Sequence, residues 1–382
     1  MHIAFYAPLK PPSHPTPSGD RRMAQLLMQA WGMSGHRVEL ASKFRSFDRG
    51  NARRQQRLKD IGERLADRLI RRYRARPAGQ KPDAWFTYHL YHKAPDWLGP
   101  RISDALSIPY IVAEASYAPK QNGGPWNLSH NAVAAAISRA DLIIGFNPDD
   151  ATCLRPLLAA PSRQVTVPPF IDTQRYRLAR LSRDPYRHAL YERHGLDKSV
   201  PWLLCVAMMR DDQKRRSYEV LAKSLGKIRD RPWRLLVAGS GPAERAIKAA
   251  FSGVEDRVTW LGHQDANALS ALYAASDIFV WPAIKEAYGM VFLEALSAGL
   301  AVVGGQSAGV ASIVRHDRTG FLTPQGDVDA FATATARLLD NPELRADMSA
   351  RAHADIFNTH SLEPMSTTMD QLLQRVMREQ AA

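Results

Sequence analysis

Short apolar runs alternate with longer segments of helical period along this chain of 382 residues. In its first half the runs are HIAFYA, HRVELA, AWFTYHLY, YIVAEA, LIIGF and QVTV; in its second, WLLCVAM, RLLVAG, RVTWLG, IFVWP, AVVGG and GFLTP. These runs are continuous rather than alternating, which indicates strands of a parallel sheet covered on both faces. Helical patterns such as MAQLLMQAWGMSG (Met23–Gly35) and NAVAAAISRA (Asn131–Ala140) lie between them. Two series of about six strands exceed what one compact sheet holds. The pattern therefore predicts two doubly wound α/β domains.

The break is expected within VPPFIDTQRYRL (Val167–Leu178), where a proline pair interrupts the pattern. The domains so predicted are residues 1–172 and 173–358, followed by a last helix over 359–382. A bend between two helices is expected around Asn358–Ser361. In open α/β sheets ligands bind beyond the carboxyl ends of the strands, at helix N-termini. Two such domains facing each other would enclose a cleft.

Composition adds little to this picture: 45% hydrophobic and 23% charged is ordinary for a globular chain. No stretch reaches the roughly 18–20 apolar residues of a membrane span. MHIAFYAPL reads as a strand from its first residues rather than as a leader. Cys153 and Cys205, far apart in apolar settings, form no metal spacing or disulfide framework and point to a reducing cytoplasm. Charge is more informative. The formal balance is +13, and Lys43–Lys81 holds fourteen Lys/Arg against four acids, ten of the thirteen surplus charges. Such a balance favours anionic partners.

EAYGMVFLEALSAG (Glu286–Gly299) follows the IFVWP strand and reads as a loop entering a helix, with Gly299 as its stop. Gly289 falls at the first helical turn, where unpaired N–H groups and the helix dipole attract phosphate. A carboxylate accepts two vicinal hydroxyls, so Glu286 and Glu294 could grip the two ends of a sugar nucleotide. A helix-start acid plus one solvated Glu on an amphipathic helix explains the same residues.

Other strand ends carry weaker signals. Arg210 and Lys214 lie between the WLLCVAM strand and the next helix, where they could neutralise a leaving diphosphate. A solvated charge cluster is the plainer reading. Gly239 and Gly241 follow RLLVA, but the third glycine of a dinucleotide fingerprint would fall at Glu244, so a tight turn accounts for them equally well. In PSGDRRMAQLL, Gly19 could admit a phosphate or sugar close to the backbone, with Asp20 as N-cap; an ordinary strand-to-helix turn fits too.

Together these segments resemble the GT-B glycosyltransferases, specifically the retaining family four, the glycosyl transferases of group 1. The likeness is strongest over Trp202–Asp329, where Glu286 and Glu294 occupy the two positions of the family's E-x7-E motif. The resemblance implies two Rossmann-like domains facing a central cleft: 1–172 for the acceptor, 173–358 for the nucleotide-sugar donor, and a final helix packing back on the first. It implies that Glu286 contacts donor-sugar hydroxyls, Glu294 the ribose, and Lys214 the diphosphate. Ala287, Tyr288, Gly289 and Met290, with Gly19, Gly239 and Gly241, complete the donor-binding set. The family's Gly-Arg-Leu stretch is replaced here by Ala207-Met208-Met209, with Arg210 as substitute for its arginine. The family's strand-four histidine is also missing: that strand reads IVAEASYAP, so Glu114 and Ser116, with Arg22 and His92, are the acceptor-side candidates.

The activity so implied is transfer of a hexosyl group from a UDP- or GDP-linked sugar to a saccharide, lipid-linked or small-molecule acceptor, with anomeric retention. No DxD-like acidic pair accompanies the donor motifs, so no metal or other cofactor is expected. Arg53–Arg74 sets Leu58, Ile61, Leu65, Leu69 and Tyr73 at helical spacing among arginines. That helix either contacts an anionic membrane, placing the protein at the inner membrane face, or packs its stripe on the first domain. A GT-B sugar-nucleotide epimerase shares the fold but lacks E-x7-E in this context. No nucleic-acid module accompanies the basic helix, so nucleic acid is not an expected partner.

Overall fold

The computed structural model describes residues 1–16, 18–286 and 288–381, with the backbone alone for Pro148, Asp149, Asp150 and Ala381. Each apolar run forms a strand. The first six are β1 (His2–Tyr6), β2 (Arg37–Ser42), β3 (Ala84–Leu90), β4 (Tyr110–Ala115), β5 (Leu142–Gly145) and β6 (Gln164–Thr166). The second six are β7 (Trp202–Val206), β8 (Arg234–Ala238), β9 (Val258–Gly262), β10 (Ile278–Trp281), β11 (Ala301–Gly305) and β12 (Gly320–Thr323). Strands β1, β4, β7 and β11 are buried along their whole length, as helices on both faces of a parallel sheet require.

The chain divides into two compact units: Met1–Val167 with Leu362–Ala382, and Pro168–Ser361. The division falls at 167/168 and 361/362 rather than at 172/173 and 358/359. Phe170 and Ile171 are buried, and the Ile171 amide donates to the His360 carbonyl at 2.8 Å, which ties this stretch to the second unit. The bend separates helices Pro342–His360 and Leu362–Ala381 at Ser361.

In the first unit the strand order is β2-β1-β3-β4-β5-β6, all parallel. The chain reverses its direction of winding between β1 and β3, the switch point of this sheet. Helix Gly19–Met33 is capped by Ser18, whose Oγ accepts from the Arg21 amide at 3.2 Å; Asp20, the expected cap, lies inside the first turn. The last helix packs on this one, with Ser34 Oγ 2.6 Å from Ser366 Oγ and His36 Nε2 2.9 Å from Asp370.

Helix Ala52–Arg74 turns its apolar stripe inward: Leu69, Ile70 and Tyr73 are buried, and a Cβ on Gly62 would meet Trp97 at 2.4 Å. Leu58, Ile61 and Leu65 are half-buried, while Arg53, Arg57, Arg64, Arg68 and Arg71 are exposed. The carboxyl-terminal part of the stripe is taken up by packing, and arginine dominates the solvent face. Among the described residues no helix is long and apolar enough to cross a membrane.

The second unit has the order β12-β11-β10-β7-β8-β9, again all parallel. This is the order of a doubly wound dinucleotide-type sheet, with its switch point between β7 and β10. Trp202, Trp233 and Trp281 are fully buried in its core.

Candidate active site

The loops leaving β7 and β10 are neighbours only because those strands pair, Ile278 with Leu203 and Phe279 with Leu204. The pairing brings Lys214 and Glu286, 72 positions apart, into an ion pair between Nζ and Oε2. Both side chains are about four-fifths shielded, at 21% and 18% exposure, so water screens the pair only partly. The Trp281 ring lies beneath, 5.5 Å from Nζ, and its Nε1 sits 3.5 Å from the same Glu286 oxygen. Lys214 is held by the start of its helix, Gln213–Lys227, where Asp212 caps the Lys214 amide at 2.8 Å.

The loop after β10 is strained and clamped. Ala283 and Lys285 take positive φ, 50° and 51°, which L-residues rarely adopt. The Ile284 amide donates to Ser217 Oγ at 3.0 Å and the Lys285 amide to Gln325 Oε1 at 2.9 Å. Strain of this kind persists only where surrounding contacts over-determine it, as at ligand sites. Gly289, at φ 64°, then opens helix Met290–Ser297. Tyr288 and Met290 flank it, both half-buried, and Ala287 lies outside the described residues.

Glu294 sits on that helix, half-buried, and accepts a hydrogen bond from Tyr273 Oη at 2.9 Å. Burial raises the Tyr273 phenol well above its ordinary value and the Glu294 charge raises it further, so it remains a donor at neutral pH. On the ribose role that the resemblance implies for Glu294, Tyr273→Phe is expected to cost about 1 kcal/mol of nucleotide affinity by removing one hydrogen bond that orients its carboxylate. Isothermal calorimetry of the variant, with an unchanged melting temperature, checks it.

The other residues expected on the donor side fall into place unequally. Gly239 and Gly241 are indispensable to backbone packing: a Cβ would meet the Ala207 carbonyl oxygen at 1.9 Å and the Met209 carbonyl oxygen at 2.4 Å. These contacts lace the β8 loop to the β7 loop, with the Met209 amide donating to Ser240 at 3.0 Å. Arg210 does not join the Lys214–Glu286 pair; its side chain is half exposed and its Nε lies 3.7 Å from Asp212. Gly19 begins its helix with open space around its Cα, and a Cβ added there would meet nothing within 4 Å.

In the first unit the switch point carries Asp20 and His89, paired at 2.9 Å. Burial raises the Asp20 carboxyl, but the hydrogen bond and charge of His89 outweigh it and leave the group below the ordinary carboxylate range. His89 and Glu114 end adjacent strands with φ of 65° and 60°. Glu114 is buried and accepts from the Phe146 amide at 2.8 Å. The Ser116 amide donates to Leu90 at 2.9 Å. His92 stacks edgewise on Trp126, centroids 5.3 Å apart; burial, then Lys93, His130 and Lys120, hold its pKa below the ordinary value. Arg22 is half-buried in the first turns of its helix.

Sequence reasoning missed Trp281, Tyr273 and Ser217 as supports. Each reads as an ordinary core or helix residue, and no local pattern marks its long-range partner. A cavity of about 280 Å³ beside Asp277 and Leu300 opens at the amino ends of β10 and β11, away from these groups.

Residues 200–341, which contain all six strands of the second sheet and the Lys214, Glu286 and Glu294 side chains, match the family model "Glycosyl transferases group 1". This segment belongs to that family. The chain is 28% identical over 225 residues to the N-acetyl-alpha-D-glucosaminyl L-malate synthase of Bacillus anthracis, covering 58% of this chain and 56% of the relative. It is 32% identical over 196 residues to a GDP-mannose-dependent phosphatidylinositol monomannoside mannosyltransferase of Mycobacterium tuberculosis, covering 48% and 49%. The chain thus spans about half the length of the curated relatives it matches. Anabaena HepE, solved with UDP and glucose, superposes with a TM-score of 0.71 over 97% of this chain and 99% of that one, at 15% identity. The chain therefore has the GT-B fold, two Rossmann-like α/β units.

Proposed function

We propose that the protein is a glycosyltransferase that moves a hexosyl group from a nucleoside diphosphate sugar to an acceptor with retention of anomeric configuration. The observation that carries this reading is the Lys214–Glu286 pair at the β7/β10 switch point, beside the Gly289 helix start and Glu294. A diphosphate there meets the Lys214 ammonium and the helix N-terminus, so charge neutralisation is assigned to these groups rather than to a divalent metal. Arg210, exposed on the same loop, is close enough in sequence to join them when the donor is bound. Glu286, fixed by Lys214 and Trp281, positions sugar hydroxyls, and Glu294 takes the ribose hydroxyls.

The donor is UDP- or GDP-linked; one relative is named for GDP-mannose and one fold neighbour was solved with UDP. The acceptor is a saccharide, lipid-linked or small molecule approaching the first unit's strand ends. The arginine face of Ala52–Arg74 suits peripheral contact with an anionic membrane through charge alone.

Thermal-shift titration with UDP, GDP and ADP tests the reading. A nucleotide at about 100 times its Kd adds roughly 2.7 kcal/mol to the native state, a shift of several degrees. The shift should survive a chelator, and product NMR should show the anomeric configuration of the donor. If no nucleoside diphosphate raises the melting temperature, the donor assignment is lost.

A further inference from the structure

The surplus charge of Lys43–Lys81 is not spent only on a solvated helix face. Arg45, Arg49 and Arg54 line one cavity of about 640 Å³ with Phe47, Asp48 and Asn51, all within the first unit. Its size suits a small ligand. Three arginines and a single carboxylate line it, and one oxygen of that carboxylate is engaged. Asp48 is buried at 2% exposure, and its Oδ1 accepts from the amides of Gly50 at 2.6 Å and Asn51 at 2.7 Å and from Gln55 Nε2 at 3.1 Å. Its Oδ2 lies 3.6 Å from Arg54 Nε, within ion-pair reach but without a hydrogen bond. The acid therefore shapes the loop, and the arginines keep an excess of two positive charges at the rim.

The pocket is tied to the functional end of its sheet. Arg45 Nε donates to the Leu9 carbonyl at 2.9 Å and the Ser46 amide to Pro8 at 3.1 Å, both in the loop leaving β1. Ser46 Oγ donates to Pro95 at 2.7 Å and the Asp48 amide to Lys93 at 2.8 Å, in the loop leaving β3. Those are the two strands of the switch point, where ligands of doubly wound sheets bind. Trp126 braces this loop, donating from Nε1 to the Asp48 carbonyl at 3.3 Å and carrying the Lys93 ammonium 5.3 Å above its ring. Three arginines lining one cavity offer guanidinium forks, which match the oxygens of phosphate.

We propose that this pocket binds a phosphate group, and hence that the acceptor in the transfer proposed above, on which this substrate role rests, is a phosphorylated molecule. Phosphate on a soluble acceptor and phosphate in a lipid headgroup present the same chemistry.

Calorimetric titration with inorganic phosphate at low salt tests it on four proteins: wild type, Arg45→Ala/Arg49→Ala, Arg64→Ala/Arg68→Ala and Lys214→Ala. Loss of charge-assisted hydrogen bonds should weaken phosphate binding about tenfold in the pocket variant; Arg64→Ala/Arg68→Ala should match wild type, and Lys214→Ala should lose only phosphate held at the donor site and keep the pocket-dependent component. Arg49→Ala alone, an exposed position, gives a smaller loss of the same sign if the double variant misfolds. Unchanged phosphate affinity in both pocket variants overturns the proposal, as does an equal loss in Arg64→Ala/Arg68→Ala, which would mean general charge attraction. UDP and GDP titrations run in parallel separate the two readings. Pocket-dependent phosphate binding without any nucleotide binding would uphold the pocket and remove the donor assignment. Co-sedimentation with phosphatidic acid vesicles in phosphatidylcholine then identifies the source: capture lost in the pocket variant supports a lipid phosphate, and no capture supports a soluble one.

Discussion

Lys214→Ala is expected to weaken binding of the preferred nucleoside diphosphate about 100-fold, the effect of truncating one partner of a shielded charge pair. Two changes act together. The ammonium that would meet the diphosphate is gone, and Glu286 loses its counter-charge, keeping among the described residues the 3.5 Å contact to Trp281. An uncompensated carboxylate then faces an anionic ligand across a partly shielded site, where repulsion is stronger than in bulk water. Lys214→Arg should recover part of the affinity, because charge is restored while the bulkier fork fits the space above Trp281 less well. Glu286→Gln should behave differently. It keeps a neutral partner for Lys214 and leaves nucleotide affinity near wild type, yet lowers turnover about 100-fold by weakening the grip on the sugar hydroxyls. Fluorescence or calorimetric titration, with product formation measured alongside, checks both. Equal nucleotide affinity in wild type and Lys214→Ala would remove Lys214 from the donor site.

The second large effect is on stability. Gly239→Ala is expected to destabilise the second unit by about 3 kcal/mol or more, through overpacking against a backbone that cannot retreat. The added carbon would lie 1.9 Å from the Ala207 carbonyl oxygen and 2.9 Å from its carbon, at a φ of 152°. Ala207 is held from both directions: its amide donates to Ala238 at 3.1 Å and its carbonyl accepts from Tyr218 Oη at 2.8 Å. The β7 and β8 loops would have to part, and the β7 loop leads into Lys214. Nucleotide affinity should fall with stability. Gly19→Ala is the control, since nothing lies within 4 Å of its added carbon and the residue already starts a helix. Urea unfolding of both variants, followed by tryptophan fluorescence, measures the difference; similar midpoints would contradict the packing argument.

The two glycines show where a sequence stops being legible. Gly239-Ser240-Gly241-Pro242 reads as an ordinary turn, and nothing in it reveals that carbonyls some thirty positions upstream press on it. The strands were readable for the opposite reason. YIVAEA and AVVGG are buried on both faces, and burial on both faces removes polar residues from the run itself. Even there the acid in YIVAEA is an exception. Glu114 is retained at φ 60° to accept the Phe146 amide, a role set by the neighbouring strand end.

Capping and boundaries slipped by small amounts because both depend on which of several adequate residues the packed chain selects. Ser18 and Asp20 are each good N-caps, and the helix starts one residue after Ser18. The prolines at 168 and 169 mark a break in pattern, but the unit to which they belong follows from Ile171 bonding to His360. The basic helix has an apolar stripe on any reading. Whether that stripe meets lipid or protein was decided by Trp97 and the buried Leu69, Ile70 and Tyr73.

Periodicity, turn residues and charge are local properties, so the sequence by itself determined the twelve strands and their helices, the E-x7-E spacing of Glu286 and Glu294, and the concentration of arginine between residues 43 and 81. Only the tertiary structure decided that Lys214 meets Glu286, that Tyr273 serves Glu294, and that Arg45, Arg49 and Arg54 share one cavity while Arg210 stands apart. Those meetings depend on sheet order. β7 pairs with β10 across more than seventy intervening residues, and no local pattern encodes which strand ends a fold will set side by side.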